Sequence, residues 1–527
     1  MAALTPFLSF RSWLVGGPRH ERLGAAAVVV PLLALIAWAA VPGPAKGSDA
    51  STLAAVGGDP STAGGAGNQT SAATGQTTAT SAGPTTAGRR PGAASTTSTV
   101  RSGPATGATI GTAPGAAPGA AVAPAGADRC GRRGATDLGV TATTVTIGIV
   151  VVDLGAASNT INLPSVADQE KAYNAAFSDL NARGGIRCRK VVLRYYSDNP
   201  LDASAEHSSC LQMVQDKVFI VMNNLFSTSE QTCIPKNHIP NIWYTPPHTP
   251  DLAKYAPYVL SWQADYDKLI HHYINGANGL GFFAGMKKVG VLEGSCYPDE
   301  NTAVIRELHA VGIPDSKIST FNFGCTGAPV ETPDQDQAAV LQFQRDGVTH
   351  VVNVSYGAVT GFSGAADQQG YDPEFAMMED GAATAIQSGT TKPGKSFDKA
   401  LLISTIQTGA RTTPGYRYSA ATQHCAQLMS KAGISTPQGS DNGQFFGLAC
   451  VNARLLEEAA NNASDLVRGQ LAGGLVRAGT FDVSYPAAPI TVIDPRRPTA
   501  GQTWRPSRWD KGCNCWHVTS TTFRGDF

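Results

Sequence analysis

Val145-Thr-Ile-Gly-Ile-Val-Val-Val152 is a run rich in valine and isoleucine, and it predicts a β-strand. A helical pattern follows it and breaks at Asn181-Ala-Arg-Gly-Gly-Ile186. A second apolar strand, Val191-Val-Leu-Arg-Tyr-Tyr196, then leads into the polar loop Ser197-Asp-Asn-Pro200. Together these segments predict one βαβ unit, in which a helix joins two parallel strands.

The alternation of strands and helices continues along the chain. Val218-Phe-Ile-Val-Met222 lacks any polar alternation, so we predict a strand that is buried on both faces of a parallel sheet. The preceding helix, about Asp202–Gln215, is expected to turn Leu211 and Val214 inward. The series stops and then restarts at Lys288-Val-Gly-Val-Leu292, which predicts two sheets. The fold class is therefore α/β, with two doubly wound parallel-sheet lobes.

Further elements follow from the same periodicities. Strands are predicted at Asn241–Tyr244, Ile318–Phe323, Val348–Val354, Phe375–Met378 and Leu401–Ser404, and helices at Ala264–Ala284, Pro298–Val311, Gln335–Arg345, Ala358–Gln369, Ser419–Ala432 and Asn442–Asn462. The tail from Thr480 is rich in proline and tryptophan and is predicted to be irregular or β.

Residues 1–46 have the pattern of an export signal. A basic region ends at Arg22, an uncharged and mostly apolar run covers Leu23–Val41, and Ala37-Trp-Ala39 fits a cleavage site. A cleaved signal and a retained membrane anchor both fit, because the apolar run is just long enough to span a bilayer. Either way, the bulk of the chain is predicted to be extracytoplasmic, secreted or tethered to the outer face of the cell membrane.

Residues 47–135 form a linker rich in Ala, Gly, Ser, Thr and Pro, with no aromatic residue. Such a composition buries too little apolar surface to offset chain entropy, so we predict a disordered tether. The rest, 136–527, is long enough for a bilobed domain. The formal net charge is zero and no long Lys/Arg run exists, which argues against a nucleic-acid partner.

Ten cysteines in an exported chain favour disulfides. Pairing of near neighbours is the expectation for Cys210–Cys233, Cys296–Cys325 and Cys425–Cys450. Cys513 and Cys515 form the only close cluster, with His517 nearby. A local disulfide or two separate bridges is favoured there over a metal site, because the C-x2-C and His-paired zinc spacings are absent.

Six local features, taken in their order and spacing, resemble the type I solute-binding proteins of the leucine/isoleucine/valine-binding family. They are the opening strand, the helix end at Asn181–Ile186, the loop Ser197–Ser204, the junction Val221–Gln231, the second-lobe opening Lys288–Tyr297 and the segment Asp336–Val348. The resemblance implies two lobes joined by a three-crossover hinge, with the ligand in the cleft. One lobe would take about 140–262 and 400–480, and the other about 263–399 and 481–527.

The resemblance and the chemistry of the residues together predict a ligand site. Ser227, Thr228 and Ser229 follow a strand, and hydroxyls beside free helix amides suit a carboxylate. Thr249 follows another strand, while Tyr297, Tyr356 and Glu379 from the second lobe would close over a ligand ammonium. An ordinary helix cap, core tyrosines and a solvated acidic loop are the alternatives.

The sequence also departs from the family pattern. Pro246-Pro-His248 replaces small residues before Thr249, and Glu230 lies within the hydroxyl loop. His248 is therefore expected to intrude into the cleft, and an aliphatic amino acid is not assured as the ligand.

Three other signals are set aside. Gly389-Thr-Thr-Lys-Pro-Gly-Lys-Ser396 fits the P-loop expression but lacks the preceding apolar strand. His271-His272 lies in an amphipathic helix without the zinc-protease pattern, and Gly361–Ala365 lacks the last glycine of a nucleophile elbow. No cofactor is predicted, and the chain is not expected to be an enzyme.

The leading hypothesis is a monomeric solute-binding protein. It would capture a small polar ligand, an amino acid or related amide, and deliver it to an ABC permease in the membrane. The alternative is a membrane-tethered sensor or receptor module of the same fold. An exported hydrolase is a third hypothesis, although no nucleophile–base or metal set supports it.

Overall fold

The computed structural model describes residue 130 and then most of the chain from residue 134 to residue 525. The gaps within that range are 155–163, 200–201, 224–227, 244, 296–297, 325–331, 354–357, 379–382, 384–391, 435–442, 502 and 521–524. Among the described residues, no helix combines the length and the apolar character needed to cross a bilayer. The predicted export segment and nearly all of the predicted linker lie outside the described residues.

The first lobe is built on a five-stranded sheet. Its strands are β1 Thr144–Val152, β2 Lys190–Asp198, β3 Ile220–Asn223, β4 Asn241–Trp243 and β5 Val259–Leu260. Their spatial order is β2-β1-β3-β4-β5, and all neighbours run parallel. Since β1 pairs with β2 over its whole length, the predicted βαβ unit is confirmed.

The second lobe is built on a seven-stranded sheet, so the prediction of two sheets is confirmed. The strands of this sheet are β6 Val289–Gly294, β7 Ile318–Phe323, β8 His350–Asn353, β9 Glu374–Met378, β10 Leu401–Ser404, β13 Arg505–Asp510 and β14 Cys515–Val518. Two further strands, β11 Thr480–Phe481 and β12 Ile490–Thr491, lie outside it. The order is β14-β13-β10-β9-β8-β6-β7, and only β13 and β14 run antiparallel to their neighbours. Strands β11 and β12 form a separate ribbon.

Helices cover both faces of each sheet. They are α1 Val166–Ala182, α2 Ala203–Gln215, α3 Thr228–Lys236, α4 Thr249–Tyr255, α5 Tyr266–Gly279, α6 Pro298–Ala310, α7 Pro333–Asp346, α8 Ala358–Gln368, α9 Ala420–Lys431, α10 Gly443–Asn461 and α11 Leu471–Ala478. Local sequence fixes their ends. In α7, Thr332 and Gln335 form a capping box, and Gly347 ends the helix in the left-handed conformation.

The side chains of the first sheet pack into two separate hydrophobic cores, one on each face. Ile149 and Val151 of β1 pack against α1 and α10, whereas Val150 packs among residues of α2 and α3 on the opposite face. Because both faces are covered, these strands need no polar alternation. All five residues of Val218–Met222 are fully buried, which confirms the burial predicted for that run, although the strand β3 begins only at Ile220.

The inward face of α2 differs from the prediction. Leu211 is 44% exposed, while Cys210 and Met213 are fully buried. Val214 packs only partly against the same core. The prediction for Leu211 is wrong because α2 presents the face of Cys210, which a disulfide to Cys233 joins to α3.

The chain passes between the lobes three times, as the family resemblance implies. It leaves the first sheet after β5, returns after β10 and leaves again between β12 and β13. Strand β10 pairs with β9 and β13, so the return follows Ser404 and not residue 400. Phe481 and Val492 pack in the core of the first sheet, so the last crossing falls after residue 492 and not at 480.

Four disulfides join described cysteines. Cys210 is bonded to Cys233 and Cys425 to Cys450, the pairs expected from proximity in the sequence. Cys130 is bonded to Cys188, and Cys513 to Cys515 in a local bridge. Cys296 and Cys325 lie outside the described residues, so their pairing stays a prediction.

Close packing of α10 against α11 gives a stability prediction. A Cβ at Gly474 would overlap the carbonyl oxygen of Ala459 on α10. Overpacking costs about 1–3 kcal/mol, and alanine gains about 1 kcal/mol of helix propensity over glycine. Gly474→Ala should therefore lower the free energy of urea unfolding by about 1 kcal/mol net. Gly473→Ala is the control, because its Cβ meets only the guanidinium of Arg477, and it should instead be neutral or stabilising.

Candidate functional site

Most of the predicted ligand residues have side chains outside the part of the chain that the structure describes. Ser227, Tyr297, Tyr356 and Glu379 fall outside the described residues, so their roles stay predictions. Thr228 and Ser229 open helix α3, but their side chains are not described either. Only Thr249 can be placed with its contacts.

The described elements on either side of these residues show which edge of each sheet they adjoin. Strand β3 ends four residues before Ser227, β6 ends three residues before Tyr297, β8 ends three residues before Tyr356, and β9 ends directly before Glu379. Each of these is a parallel strand, and each segment follows its carboxyl end. Ligands of open α/β sheets bind beyond the carboxyl ends of the strands.

The carboxyl edges of the two sheets meet at His248. This residue follows β4 of the first lobe, and its Nδ1 hydrogen-bonds the carboxylate of Glu300 in the first turn of α6 in the second lobe. The His248 ring also lies 5.1 Å from the ring of Tyr266 on α5. Glu300 is 3% exposed, so its charge is balanced from across the lobe boundary. The expectation that His248 intrudes between the lobes matches this contact.

The environment of His248 favours its protonated form. Burial of the imidazole is the largest single effect and lowers the pKa of His248, whereas the hydrogen bond to Glu300 raises it. The negative charges of Glu300, Asp251 and Asp299 add to it, and the net result is a pKa raised above the ordinary histidine value. Three carboxylates on α4 and α6 therefore stabilise an imidazolium at this point of contact between the lobes.

Thr249 lies at the start of α4 and points toward the hinge. Its Oγ1 is 3.5 Å from Oδ1 of Asp265, which is fully buried in the first crossover. The hydroxyl of Thr499 donates to Asp265 Oδ2 at 2.9 Å, and Arg497 donates to Oδ1 at 2.9 Å. Lys268 Nζ donates to Thr499 Oγ1 at 2.8 Å. Thr249 thus adjoins a buried ionic network that joins the first and third crossovers.

Backbone hydrogen bonds hold the crossovers side by side. Ser261 N donates to Pro498 O at 2.9 Å, and Ala500 N donates to the carbonyl oxygen of Gln263 at 2.9 Å. The second crossover, which follows β10, pairs with the segment between β11 and β12, since Ala487 N donates to Thr405 O at 2.9 Å. Short paired segments of this kind are typical of hinges, where a few residues absorb the change in backbone angles during domain closure.

The structure also places buried polar groups at the carboxyl edges that the sequence did not single out. Asp198, the last residue of β2, is 1% exposed, and burial, with the charges of Glu206 and Asp202, raises its pKa to about 6. In the second lobe, burial raises the pKa of Asp336 on α7 to about 7. Asn353, the last residue of β8, is fully buried, and its side-chain amide has no hydrogen-bond partner among the described residues. Perturbed buried polar groups of this kind concentrate at functional sites.

Asp336 lies in the first turn of helix α7 and has no comparable sequence signal, whereas Asp198 and Asn353 each end a strand. Such residues are common at strand ends for reasons of turn formation, so the signal does not by itself identify a site.

Of the P-loop-like segment, the structure describes residues 392–396, and three amides there are satisfied by the protein itself. Gly394 N donates to Ser363 Oγ at 2.9 Å, and Ser396 N donates to Asp367 Oδ1 at 2.8 Å. The amide of Lys395 donates to the same carboxylate. Since an aspartate occupies the position that a phosphate would need, this segment does not form a nucleotide cradle.

The adjacent histidines of α5 both have structural partners. His271 Nδ1 lies 2.9 Å from Glu307 Oε2, and His272 Nε2 lies 3.0 Å from the carbonyl oxygen of Gly501. Of the two, His272 is fully buried. They point in different directions and do not share a ligand.

A sequence profile of the family described as periplasmic binding protein matches residues 144–514, about 70% of the chain. No curated protein sequence matches it. The family and the solved structures that resemble this chain are solute-binding proteins and not enzymes.

Three solved structures illustrate the likeness. A possible leucine/isoleucine/valine-binding protein from Rhodopirellula baltica SH 1 is 15% identical, with a TM-score of 0.54 over 72% of this chain and 97% of its own. A substrate-binding protein from Desulfitobacterium hafniense in complex with Leu is 14% identical, with a TM-score of 0.50 over 71% and 99%. A solute-binding protein from R. palustris in complex with 4-hydroxybenzoate is 14% identical, with a TM-score of 0.53 over 73% and 97%.

Proposed function

We propose, since this chain belongs to the family of periplasmic binding proteins, that it captures a small polar ligand between its two lobes and delivers it to an ABC importer. The observation that supports the proposal most is that the carboxyl edges of the two sheets face each other across the hinge, where His248 contacts Glu300. A ligand that touches both edges would bind the closed form more tightly and so shift a hinge equilibrium.

The chemistry of the loops favours a ligand with a carboxylate, such as an amino acid. Ser227, Thr228 and Ser229 stand at the start of α3, where hydroxyls and free amides bind anions. The two relatives with bound ligands hold Leu and 4-hydroxybenzoate, and both of these molecules carry a carboxylate. Glu379, directly after β9, would meet an ammonium group, and Tyr297 and Tyr356 would cover the apolar part of the ligand.

The N-terminal residues fit an extracytoplasmic role. Residues 1–46 would export the chain or anchor it, and the linker 47–135 would allow the folded part to reach a permease in the membrane. Such an arrangement would hold the ligand site outside the cytoplasm.

The test is a thermal-shift screen of the full chain with amino acids, amides and aromatic and aliphatic carboxylic acids. A ligand at about 100 times its dissociation constant should add about 2.7 kcal/mol of stability, a rise of several degrees in Tm. The double variant Ser227→Ala and Glu379→Ala should lose that rise, because each lobe would lose a polar contact.

Ser208→Ala and Glu374→Ala form the matched control pair. Ser208 bonds only within α2, and Glu374 stands at the amino end of β9, opposite to Glu379. The control should keep the full thermal shift. An unchanged shift in the Ser227 and Glu379 double variant would place the ligand elsewhere, and a screen without any stabilising acid or amide would contradict the ligand class.

A further inference from the structure

Side chains of the types that bind metal ions cluster on the hairpin of β13 and β14. Asp510 pairs with Cys515 and Arg508 with His517 across the two strands. Because alternate residues of a strand point to the same face, Cys515 and His517 share one face. Trp516, between them, is fully buried on the other. The turn adds Cys513, which is exposed.

The donor atoms of these side chains converge. His517 Nε2 lies 3.3 Å from Cys513 Sγ, 3.4 Å from Cys515 Sγ and 3.7 Å from Asp510 Oδ2. A tetrahedral Zn²⁺ with bonds of about 2.0–2.3 Å separates neighbouring ligand atoms by roughly 3.3–3.8 Å. Three of the separations in the hairpin already have this size. The two sulfur atoms are closer than this because they are bonded to each other, and the Asp510 carboxylate lies beside the close group of Cys513, Cys515 and His517.

We propose that this hairpin is a redox-gated zinc site, closed while Cys513 and Cys515 are disulfide-bonded and open to Zn²⁺ when they are reduced. The two thiolates and the imidazole of His517 would supply three ligands, and the carboxylate of Asp510, beside the imidazole, would turn toward the metal as the fourth. A carboxylate in the set favours Zn²⁺ over Cu⁺, which prefers sulfur ligands. The second oxygen of Asp510 accepts a hydrogen bond from Gly512 N at 2.7 Å, which holds the carboxylate toward the turn.

The opening step is a thiol–disulfide exchange with a dithiol. The dithiol gives up two electrons and becomes a cyclic disulfide, while Cys513 and Cys515 gain them with two protons as thiols. Binding of Zn²⁺ then displaces these protons, since the metal takes thiolates. Cys513 is exposed and accessible, whereas Cys210 is fully buried and Cys425 is 4% exposed. Mild reduction should therefore reach this bridge before those two.

The cluster is separate from the proposed ligand site. Strand β13 runs antiparallel to β10, so its last residue, Asp510, lies near the amino end of β10. Lys511 N accordingly donates to Asp398 Oδ1, in the segment before β10. The ligand residues adjoin the opposite edge of the sheet. Zinc uptake and ligand binding can thus succeed or fail independently.

The test uses the full chain after limited reduction with a dithiol, with alkylation and mass spectrometry to identify the reduced cysteines. Once the dithiol has been removed, Zn²⁺ is titrated against a chromophoric chelator. The reduced protein should bind one Zn²⁺ per chain, and the oxidised protein none at this site. Replacement of bound Zn²⁺ by Co²⁺ should give a thiolate-to-cobalt absorption band.

Variants of the cluster identify the ligands. Cys513→Ser with Cys515→Ser should abolish uptake, and His517→Ala should weaken it at least tenfold. His424→Ala is the control, because His424 is an exposed histidine on α9 that lies beside Asp179. Circular dichroism checks that each variant is folded. Zinc uptake that persists in the double serine variant, or that is absent from the reduced wild type, would overturn the proposal.

Discussion

Asp265→Ala is expected to lower the free energy of unfolding by about 3–5 kcal/mol, the usual loss when one partner of a buried ion pair is removed. Asp265 is fully buried, and both of its carboxylate oxygens accept hydrogen bonds from the third crossover. Without it, the ammonium of Lys268, only 14% exposed, would lose its nearest negative charge. Helix α5 would also lose its N-cap, since Asp265 accepts from Lys268 N. Urea unfolding followed by tryptophan fluorescence measures the loss.

Asp267→Ala is the matched control. It removes an aspartate two residues further along α5 that is 38% exposed and faces Arg306 at 3.5 Å. A solvated pair of this kind contributes about 0–1 kcal/mol, so its removal should change stability little. An equal effect of the two substitutions would contradict the structural role assigned to the hinge network.

The two-sheet architecture could be predicted from local sequence because each strand is buried by its own neighbours. In Val218–Met222, five apolar residues in succession require cover on both faces, and that requirement is visible without any distant contact. The helices were predicted for a similar reason. For α7 the periodicity predicted Gln335–Arg345, and the local capping signals at Thr332 and Gly347, which that prediction did not use, account for the observed bounds Pro333–Asp346.

The hinge network could not be predicted in this way. Asp265 meets Arg497 and Thr499 across more than two hundred residues of chain, and no periodicity connects them. The observed lobe boundaries differ from the predicted ones for the same reason. Whether β10 joins the first or the second sheet is decided by its pairing with β9 and β13, which its short apolar sequence does not specify.

Sequence reasoning about the ligand site had a partial success at His248. Its departure from the family pattern drew attention to the loop before α4, and the structure places the ring between the lobes. The partner, Glu300, was not foreseen. A glutamate in the first turn of a helix is ordinarily a solvated residue that interacts favourably with the helix dipole, whereas Glu300 is buried and contacts His248 of the other lobe.

The contact of His248 with Glu300 should make the association of the lobes pH-dependent. His248 has a raised pKa in the folded protein, so the stability it adds is fully present below its unfolded pKa of about 6.5. That stability is lost as the pH rises through the raised folded value. At pH 5.5, His248→Ala should cost about 1.5–3 kcal/mol, the range for hydrogen bonds to charged groups. At pH 9 the cost should be small.

The measurement is the free energy of urea unfolding of the wild type and His248→Ala between pH 5.5 and pH 9. Other groups titrate in both proteins, so the difference between the curves isolates His248. Glu300→Gln should remove most of the pH dependence of that difference, since the main charge facing the imidazole is lost. His309→Ala is the control, because His309 and Asp315 form an exposed pair within the second lobe.

The position of His248 gives this prediction a consequence for closure. Glu300 is buried and contacts the first lobe through His248, so a neutral imidazole leaves a buried carboxylate with a weaker partner, and opening the cleft would let water solvate it. The ligand-free protein should therefore show a larger radius of gyration by small-angle X-ray scattering at pH 9 than at pH 5.5. His248→Ala should show the larger radius at both pH values. If the stability cost of His248→Ala and the radius of gyration of the wild type both stay constant between pH 5.5 and pH 9, His248 packs between the lobes without acting through its charge.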